Sequence, residues 1–386
     1  MWRTLLLLLS LPWTLDTAFR AVLAWAARRG PRNGGLPAGV PGERVLVVVP
    51  ARGEGSAVAP TLASVVENVR EGVEALLLLD GSDPEAASAA RRVGVDVLRK
   101  EPPGPSKAAA LRWLTEHHGE RLGTFDAVMI LDVGSRLEPG FFREPLLPAP
   151  AAAAQAWLAG EGSGVADAIS LSERAAQAWE DRGRQALGWS VRLRGTGSVF
   201  RPGILVELAP RLRTSIEDTE ASLLLAARGE RIVLTGPRAV LSDDKPSRVG
   251  EAARQRSRWL LGQVQLLVRQ PGSLFRLLAR RPAEGLAFAA ELASRPLSLT
   301  GPLRLAAGAA LAADGLAGGR TLQAAAGSLV AASLLLDLAL LRLATGLPWS
   351  RLAVGSARLA LSWVGAFLHL PRAAAGWVRT RRDRLR

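Results

Sequence analysis

Three carboxylate positions in this chain fall where chemistry can be done. Asp80 closes the run Leu-Leu-Leu-Leu-Asp-Gly-Ser-Asp, Asp132 closes Ile-Leu-Asp-Val-Gly-Ser, and Glu217-Asp218 opens Ser-Ile-Glu-Asp-Thr-Glu. An acid that ends an apolar run and precedes glycine can accept hydrogen bonds from a base or a ribose. In the same setting Asp132 can hold a divalent cation against a diphosphate. Plainer readings stand beside these: an Asx turn at Asp80 or Asp83 and a turn residue at Asp132. At 217–218 the acids can simply complement a helix dipole, with Thr214 or Ser215 as its cap. Gly195-Thr196-Gly197 after Arg194 reads equally as a ligand-free turn. Gln255-Arg256-Ser257-Arg258-Trp259 reads equally as a basic amphipathic face with an interfacial tryptophan.

Composition removes other chemistries. The 386 residues contain no cysteine, which excludes a disulfide scaffold, a Cys-ligated zinc and thiol catalysis. Three histidines, two of them adjacent (His117, His118), leave almost nothing for a histidine relay or a His-rich metal centre. Any reaction must run on carboxylates, Lys, Arg and backbone groups. An apolar share of 48% is incompatible with disorder, and the length fits two or three structural units. The net charge of +14 calls for an anionic partner. No Lys/Arg stripe is interleaved with aromatics, and the arginines instead border apolar stretches, so a membrane surface fits better than nucleic acid.

The elements that must position these residues alternate. Val45–Val49, Ala75–Leu79, Val95–Leu98 and Ala127–Leu131 are short apolar runs that read as strands. Between them Ala59–Arg70, Ala86–Val93 and Lys107–His117 read as helices. Alternation of this kind predicts an α/β fold with a mainly parallel sheet. Such sheets bind ligands at the carboxyl ends of their strands, where this chain carries Pro50-Ala51-Arg52-Gly53-Glu54, Asp80 and Asp132.

Around this 44–250 segment the chain turns apolar or basic. Residues 1–27 are long enough for one membrane crossing, interrupted by Asp16 and Arg20, with an interfacial amphipathic helix as the alternative. Residues 28–43 read as a basic Gly/Pro-rich linker. Within 251–283, Gln263 to Arg281 has periodic arginines and reads as a surface-lying amphipathic helix. Within 284–371, Gly285–Ala313 reads as interfacial or re-entrant, and Leu322–Ala344 and Leu352–Leu370 as a spanning hairpin in which Asp337 and Arg342 neutralise each other. The tail, 372–386, carries six arginines, so tail and linker are expected on the cytoplasmic side.

Taken in order, Pro-Ala-Arg-Gly-Glu after the first strand, Asp80, Lys107, Asp132, Gly195-Thr-Gly197, Glu217-Asp218 and Gln-x-x-Arg-Trp at 255–259 form a series. The series resembles the family 2 glycosyltransferases, in particular the membrane-bound branch with cellulose, chitin and hyaluronan synthases and ceramide glucosyltransferase. The resemblance spans about Val45 to Gln263 and the flanking apolar segments, and its most specific element is Gln-x-x-Arg-Trp about 40 residues after Glu-Asp.

The resemblance implies a GT-A-like fold: a nucleotide-sugar-binding sheet flanked by helices, with transmembrane or interfacial helices at both ends. It implies nucleotide-sugar binding by Pro50, Ala51, Arg52, Glu54, Asp80, Lys107 and Asp132, with Mg2+ or Mn2+ on Asp132. It implies Asp218 as general base, and acceptor or diphosphate contacts from Gly197, Glu217, Gln255, Arg258 and Trp259. Two departures stand out. Asp132-Val133-Gly134 replaces the usual Asp-x-Asp, as in chitin synthases and ceramide glucosyltransferase, and Arg52-Gly53 precedes Glu54 where the family often has Asn.

The activity implied is metal-dependent, inverting transfer of a hexosyl or N-acetylhexosaminyl group from a nucleotide-diphosphate sugar. The acceptor is a lipid or glycan, the protein is multi-pass in the plasma membrane, and its catalytic domain is cytoplasmic. Nucleic acid is not an expected partner. The alternatives are a transferase acting on polyprenyl phosphate, a group that usually lacks Gln-x-x-Arg-Trp, and a non-catalytic membrane scaffold with a decayed metal site.

Overall fold

A computed structural model of the chain describes residues 2–30, 43–160, 165–294 and 297–373. Most of the basic linker and of the arginine-rich tail therefore lies outside the described residues.

The first half alternates as its hydrophobic pattern dictates. β1 (Val45–Ala51), β2 (Val73–Asp80), β3 (Asp96–Lys100) and β4 (Ala127–Ile130) are separated by the helices α2 (Ala59–Asn68), α3 (Pro84–Arg92) and α4 (Lys107–Gly123). All four strands pair in parallel, in the order β3-β2-β1-β4. Their side chains alternate between two cores. Val45, Val47, Val49, Leu77 and Leu79 pack with Leu62, Val65 and the alanines of α3 on one face. Leu46, Val48, Leu76 and Leu78 pack with Leu111 and Leu114 of α4 on the other. The four-leucine run before Asp80 is thus apolar at every position because both faces of its strand are covered.

The sheet continues through β8 (Ser198–Phe200), β6 (Ala153–Gln155) and β9 (Ile232–Leu234). Here the parallel expectation is qualified, because β8 runs antiparallel to both β4 and β6. A small second sheet joins β5 (Ser135–Leu137), β10 (Val240–Asp243) and β7 (Trp157–Leu158). Helices α5 (Val165–Ala175), α6 (Arg182–Ala186), α7 (Pro202–Leu208) and α8 (Glu217–Arg228) complete the domain, with a π-helical turn at Ala176–Asp181 between α5 and α6.

The rest is helical. α1 (Trp2–Arg29), α13 (Thr321–Thr345) and the Trp349–Leu370 part of α14 (Trp349–Ala373) are each long and apolar enough to cross a membrane. Between domain and bundle run α9 (Val249–Arg269), α10 (Pro271–Arg280), α11 (Pro282–Ser294) and α12 (Leu297–Ala317). The expected single amphipathic stretch at Gln263–Arg281 is two helices, divided at Gln270-Pro271 because proline opens a helix more readily than it continues one. Val264, Val268 and Phe275 leave it exposed and apolar.

The expected interfacial segment Gly285–Ala313 also resolves into two helices, of which α12 packs closely on α13. Small residues allow this approach: a Cβ on Gly308 would lie 2.8 Å from both Ala331 N and Gly327 O. α14, by contrast, lies against the sheet domain. Leu359 packs with Ile169 and Ala252, and the Trp363 ring sits 6.4 Å from that of Trp259 on α9. The antiparallel apolar pair is therefore α12 with α13, not α13 with α14.

Asp337 does not pair with Arg342, because residues five apart point to different sides of a helix. It takes Arg20 of α1 at 2.7 Å and Arg304 of α12 at 2.6 Å, and Thr17 donates to it at 2.9 Å. Arg342 instead lies over the Trp349 ring, 5.0 Å from its centroid. Near the other end of α1, Arg3 meets Asp314 at 2.7 Å. These contacts order the bundle: α1 runs with α13 and against α12.

Candidate active site

Four segments converge at the carboxyl edge of the sheet. β4 delivers Asp132 just beyond its last residue, and the turn before β8 lies beside it. Gly197 N donates to Ile130 O at 2.9 Å, and Asp132 N donates to Thr196 Oγ1 at 3.1 Å. Thr196 Oγ1 also shares a hydrogen bond with Ser135 Oγ at 2.8 Å. Lys107 is the first residue of α4, just after Ser106, whose hydroxyl caps the helix. Its ammonium is 2.9 Å from Asp132 Oδ1 and 2.7 Å from Glu217 Oε1. Glu217 and Asp218 are the first two residues of α8.

Gly195 stands at the centre of this group. A Cβ built there would lie 3.4 Å from Asp218 Oδ2, 3.7 Å from Asp132 Oδ2 and 3.8 Å from Lys107 Nζ. Its φ of +80° is one that glycine adopts freely and other residues resist. Gly197, expected to touch acceptor or diphosphate, does different work. A Cβ on it would sit 2.5 Å from Leu241 Cδ2 and 3.0 Å from Ala156 Cβ, so it permits the two sheets to pack.

The α8 terminus is not capped by Thr214 or Ser215. Glu220 reaches back instead, accepting from Arg213 N and Thr214 N at 2.8 Å each, and Ser215 Oγ donates to Arg258 O of α9 at 3.0 Å. The motif helix α9 is thereby fastened to the turn that leads into Asp218.

Electrostatics set the protonation states. Burial alone would depress Lys107, but the charges of Asp132 and Glu217 override it and hold the ammonium protonated well above its usual range. Asp218 is pushed up to about 7, first by burial and then by the neighbouring Glu217 charge, against the opposing pull of Lys107 and the Thr219 N–H. The helix terminus alone would lower this carboxyl; loss of hydration outweighs the dipole here.

One cavity of about 1030 Å³ contains this group. Pro50, Glu54, Lys107, Asp132, Glu217, Asp218, Gln255, Arg258 and Trp259 all line it. From these polar groups it extends to an apolar wall that includes Pro302 and Leu305 of α12, Leu334 and Leu338 of α13, and Leu359 and Trp363 of α14. Ala51, Arg52, Asp80 and Gly197 are not among the lining residues.

Asp80 ends β2 as expected but turns to its own chain. Gly104 N donates to its two oxygens at 2.8 and 3.0 Å, Lys100 Nζ stands 3.1 Å away and Arg52 Nη1 3.6 Å. Arg52 also donates to Gly104 O. Asp80 thus ties down the loop that leads to Lys107. The Asx-turn reading falls on Asp83, which caps α3 through Ala86 N at 3.0 Å and accepts from Gly55 N at 2.9 Å.

Among the described residues no cluster of three or more His, Cys, Asp or Glu side chains could hold a metal. Gly134, in the place of a second acid, has φ +91°, which an aspartate would resist. Its N–H donates to Thr61 Oγ1 at 2.9 Å. Of the Asp-x-Asp pattern there remains Asp132, a partly exposed carboxylate. That suffices for an ion of the Mg2+ type, which keeps several waters and is commonly held by one or two carboxylates plus substrate phosphates.

Sequence reasoning missed Thr196, Arg192 and Arg256 as members of the cavity wall. Nothing local marks Arg192: its partner Glu291, at 3.0 Å, lies on α11 nearly a hundred residues away.

No curated protein sequence matches the chain. A mannosyltransferase from Pyrobaculum calidifontis, solved with GDP-Man and Mn2+, is similar in fold with a TM-score of 0.54 at 19% identity, covering 94% of this chain and 99% of that one. Glucosyl-3-phosphoglycerate synthase from Mycobacterium tuberculosis, solved with Mn2+, UDP and glucosyl-3-phosphoglycerate, gives a TM-score of 0.39 at 19% identity over 59% of this chain and 80% of that one. The model of the family described as "Glycosyltransferase like family 2" matches residues 41–262, more than half of the chain, and the protein belongs to that family of nucleotide-sugar transferases.

Proposed function

We propose that the chain is a membrane-integrated, inverting glycosyltransferase that moves a hexosyl or N-acetylhexosaminyl group from a nucleotide-diphosphate sugar to a hydroxyl of a lipid acceptor. The observation that carries this reading is the continuity of the cavity. Lys107, Asp132 and Asp218 share it with the apolar side chains of α12, α13 and α14, so a polar donor and an acyl chain fit in one enclosure. A growing polysaccharide would need a wide polar channel instead.

The residues divide the work. Pro50 and Glu54 flank the nucleotide, and Asp80 orders the loop that presents Lys107. Lys107 and Arg258 place positive charge where the diphosphate develops its own, which is worth most in an enclosed site. Asp132 would hold Mg2+ or Mn2+, which supplies further charge neutralisation to the departing diphosphate. Asp218, ionised, takes the proton of the acceptor hydroxyl as that oxygen bonds to the anomeric carbon. The bond from that carbon to the diphosphate breaks, and the nucleotide leaves with the electron pair. One displacement inverts the anomeric centre. Trp259 and Gln255 contact the acceptor.

Orientation follows from charge. Arg28 and Arg29 end α1 on the side of the sheet domain, which puts that domain at the cytoplasmic face by the positive-inside rule. In this reading α1 and α13 cross the plasma membrane, with α12 packed against α13. The convergence of Lys107, Asp132 and Asp218 argues against a decayed scaffold.

The test is product partition. Full-length protein in nanodiscs is incubated with a panel of radiolabelled nucleotide sugars and Mn2+, then extracted with organic solvent. Label from one donor is expected in the organic phase; label recovered only as free sugar or water-soluble glycan would overturn the lipid acceptor.

A further inference from the structure

Arg256 lines the cavity with two buried donor atoms that meet no acceptor among the described residues. It lies on α9 within the Gln-x-x-Arg-Trp segment but is neither of its two named basic or aromatic positions. Its side chain is 3% exposed. Its guanidinium lies 5.2 Å from the Trp363 ring centroid and 6.0 Å from that of Trp259. Ring faces attract the cation but accept no in-plane N–H. Among the described residues, no acceptor reaches its Nε or its Nη1. Burial holds it below the ordinary arginine range, at about 10, with the Glu173 charge opposing, so it stays charged at neutral pH. A buried charge of this kind is costly unless something pairs with it.

The position indicates what that partner is. α9 bridges the two ends of the cavity: Arg258 meets Ser215, in the turn before Asp218, while Arg256 meets Trp363 on the apolar wall. An anion beside Arg256 is therefore flanked by hydrocarbon on α14, and it shares its enclosure with the base. We infer that Arg256 receives the phosphate of the acceptor lipid, so that the acceptor is an anionic phospholipid rather than a neutral one. Guanidinium suits this work because it offers several donors in one plane to phosphate oxygens. The inference rests on the lipid-acceptor reading and names its headgroup chemistry. The competing source of the same anion is the diphosphate of the donor.

Native mass spectrometry of the full-length protein in detergent tests it, with equimolar dioleoyl phosphatidic acid and dioleoylglycerol as probes. The two differ only in the phosphate. Wild type is expected to retain the phosphatidic acid in about tenfold excess, the scale of one charge-assisted hydrogen-bonded contact. Arg256→Gln should equalise the two, and Arg256→Lys should keep part of the preference. Binding of a nucleoside diphosphate, measured on the same samples, should be unchanged in both variants, which also reports that they are folded. Equal retention by wild type would overturn the inference and leave the lipid acceptor standing. So would a preference that survives Arg256→Gln, which would belong to the basic surface. Loss of nucleoside diphosphate binding in Arg256→Gln alone would assign Arg256 to the donor. Retention of neither lipid would overturn the lipid acceptor as well.

Discussion

Lys107 and Glu217, each the first residue of its helix, meet at 2.7 Å. The pair brings two helix N-termini to one spot, and their partial positive charge adds to that of the ammonium. The result is a place prepared for a diphosphate, with Asp132 and Asp218 on its margin.

Removing the ammonium should expose that design. In Lys107→Met, Asp132 and Glu217 lose the cation that separates them, and the leaving diphosphate loses a buried charge. Transfer should fall by about a hundredfold or more, as when one preorganised donor is removed from an active site, with a raised KM for the donor. Steady-state nucleotide release across a donor series measures both. Undiminished turnover would remove Lys107 from the machinery.

Asp218 sets a pH limb. With its carboxyl raised to about 7, kcat/KM should fall tenfold per unit as pH drops below that value. Asp218→Asn should retain donor binding and lose about 10²–10⁴-fold in transfer, the usual contribution of a positioned base. Stability should move oppositely. A carboxyl raised in the folded state stabilises it below the unfolded pKa near 3.8, and that contribution is lost as pH rises through about 7. Asp218→Asn should therefore melt above wild type at pH 8 and alongside it near pH 4, by scanning fluorimetry in detergent.

The two glycines of Gly195-Thr196-Gly197 should part company. Gly195→Ala strains a left-handed backbone by about 1–2 kcal/mol and places a methyl among Asp132, Asp218 and Lys107, so donor affinity should drop in a protein that still folds. Gly197→Ala drives its methyl into Leu241 and Ala156, an overpacking that costs about 1–3 kcal/mol. Its Tm should fall while the folded fraction keeps its donor KM. The opposite pattern would reverse their roles.

The buried triad of Arg20, Arg304 and Asp337 should behave as a unit. Arg304 and Asp337 are both fully buried, and removing one partner of such a pair costs about 3–5 kcal/mol. Asp337→Asn should lower the Tm markedly, while the double change Asp337→Leu with Arg304→Met should recover most of it. A single variant that melts like wild type would show that the triad contributes nothing to holding the bundle.

What the sequence made legible was whatever depends on neighbours in the chain. The strands β1, β2 and β4 and the helix beginning at Lys107 follow from apolar periodicity, and the acids beyond the strand ends follow with them. What it hid depends on distance. Asp80 looks like Asp132 in sequence, yet the 101–106 loop folds back on it. Gly195 and Gly197 are indistinguishable until Leu241 arrives beside one and Asp218 beside the other. A helix-terminal position by itself favours a low pKa for Asp218, and only the packing around it reverses the sign. Arg342 is the arginine nearest Asp337 along the chain, yet the partners of Asp337 come from the preceding helix and from the first one, 317 positions away.

The bond between Arg20 and Asp337 also imposes a timetable on biosynthesis. The two residues are separated by 317 positions, so the first helix is made long before its counter-ion is translated. Throughout that interval the sheet domain is emerging from the ribosome, and Glu180, 3.1 Å from Arg20 in the finished protein, becomes available before Asp337 does. The nascent chain can rest its arginine on its own sheet domain and gain the second carboxylate when the later helices arrive. A chain cut short before Asp337 leaves Arg304 without the carboxylate that meets it at 2.6 Å in the finished protein.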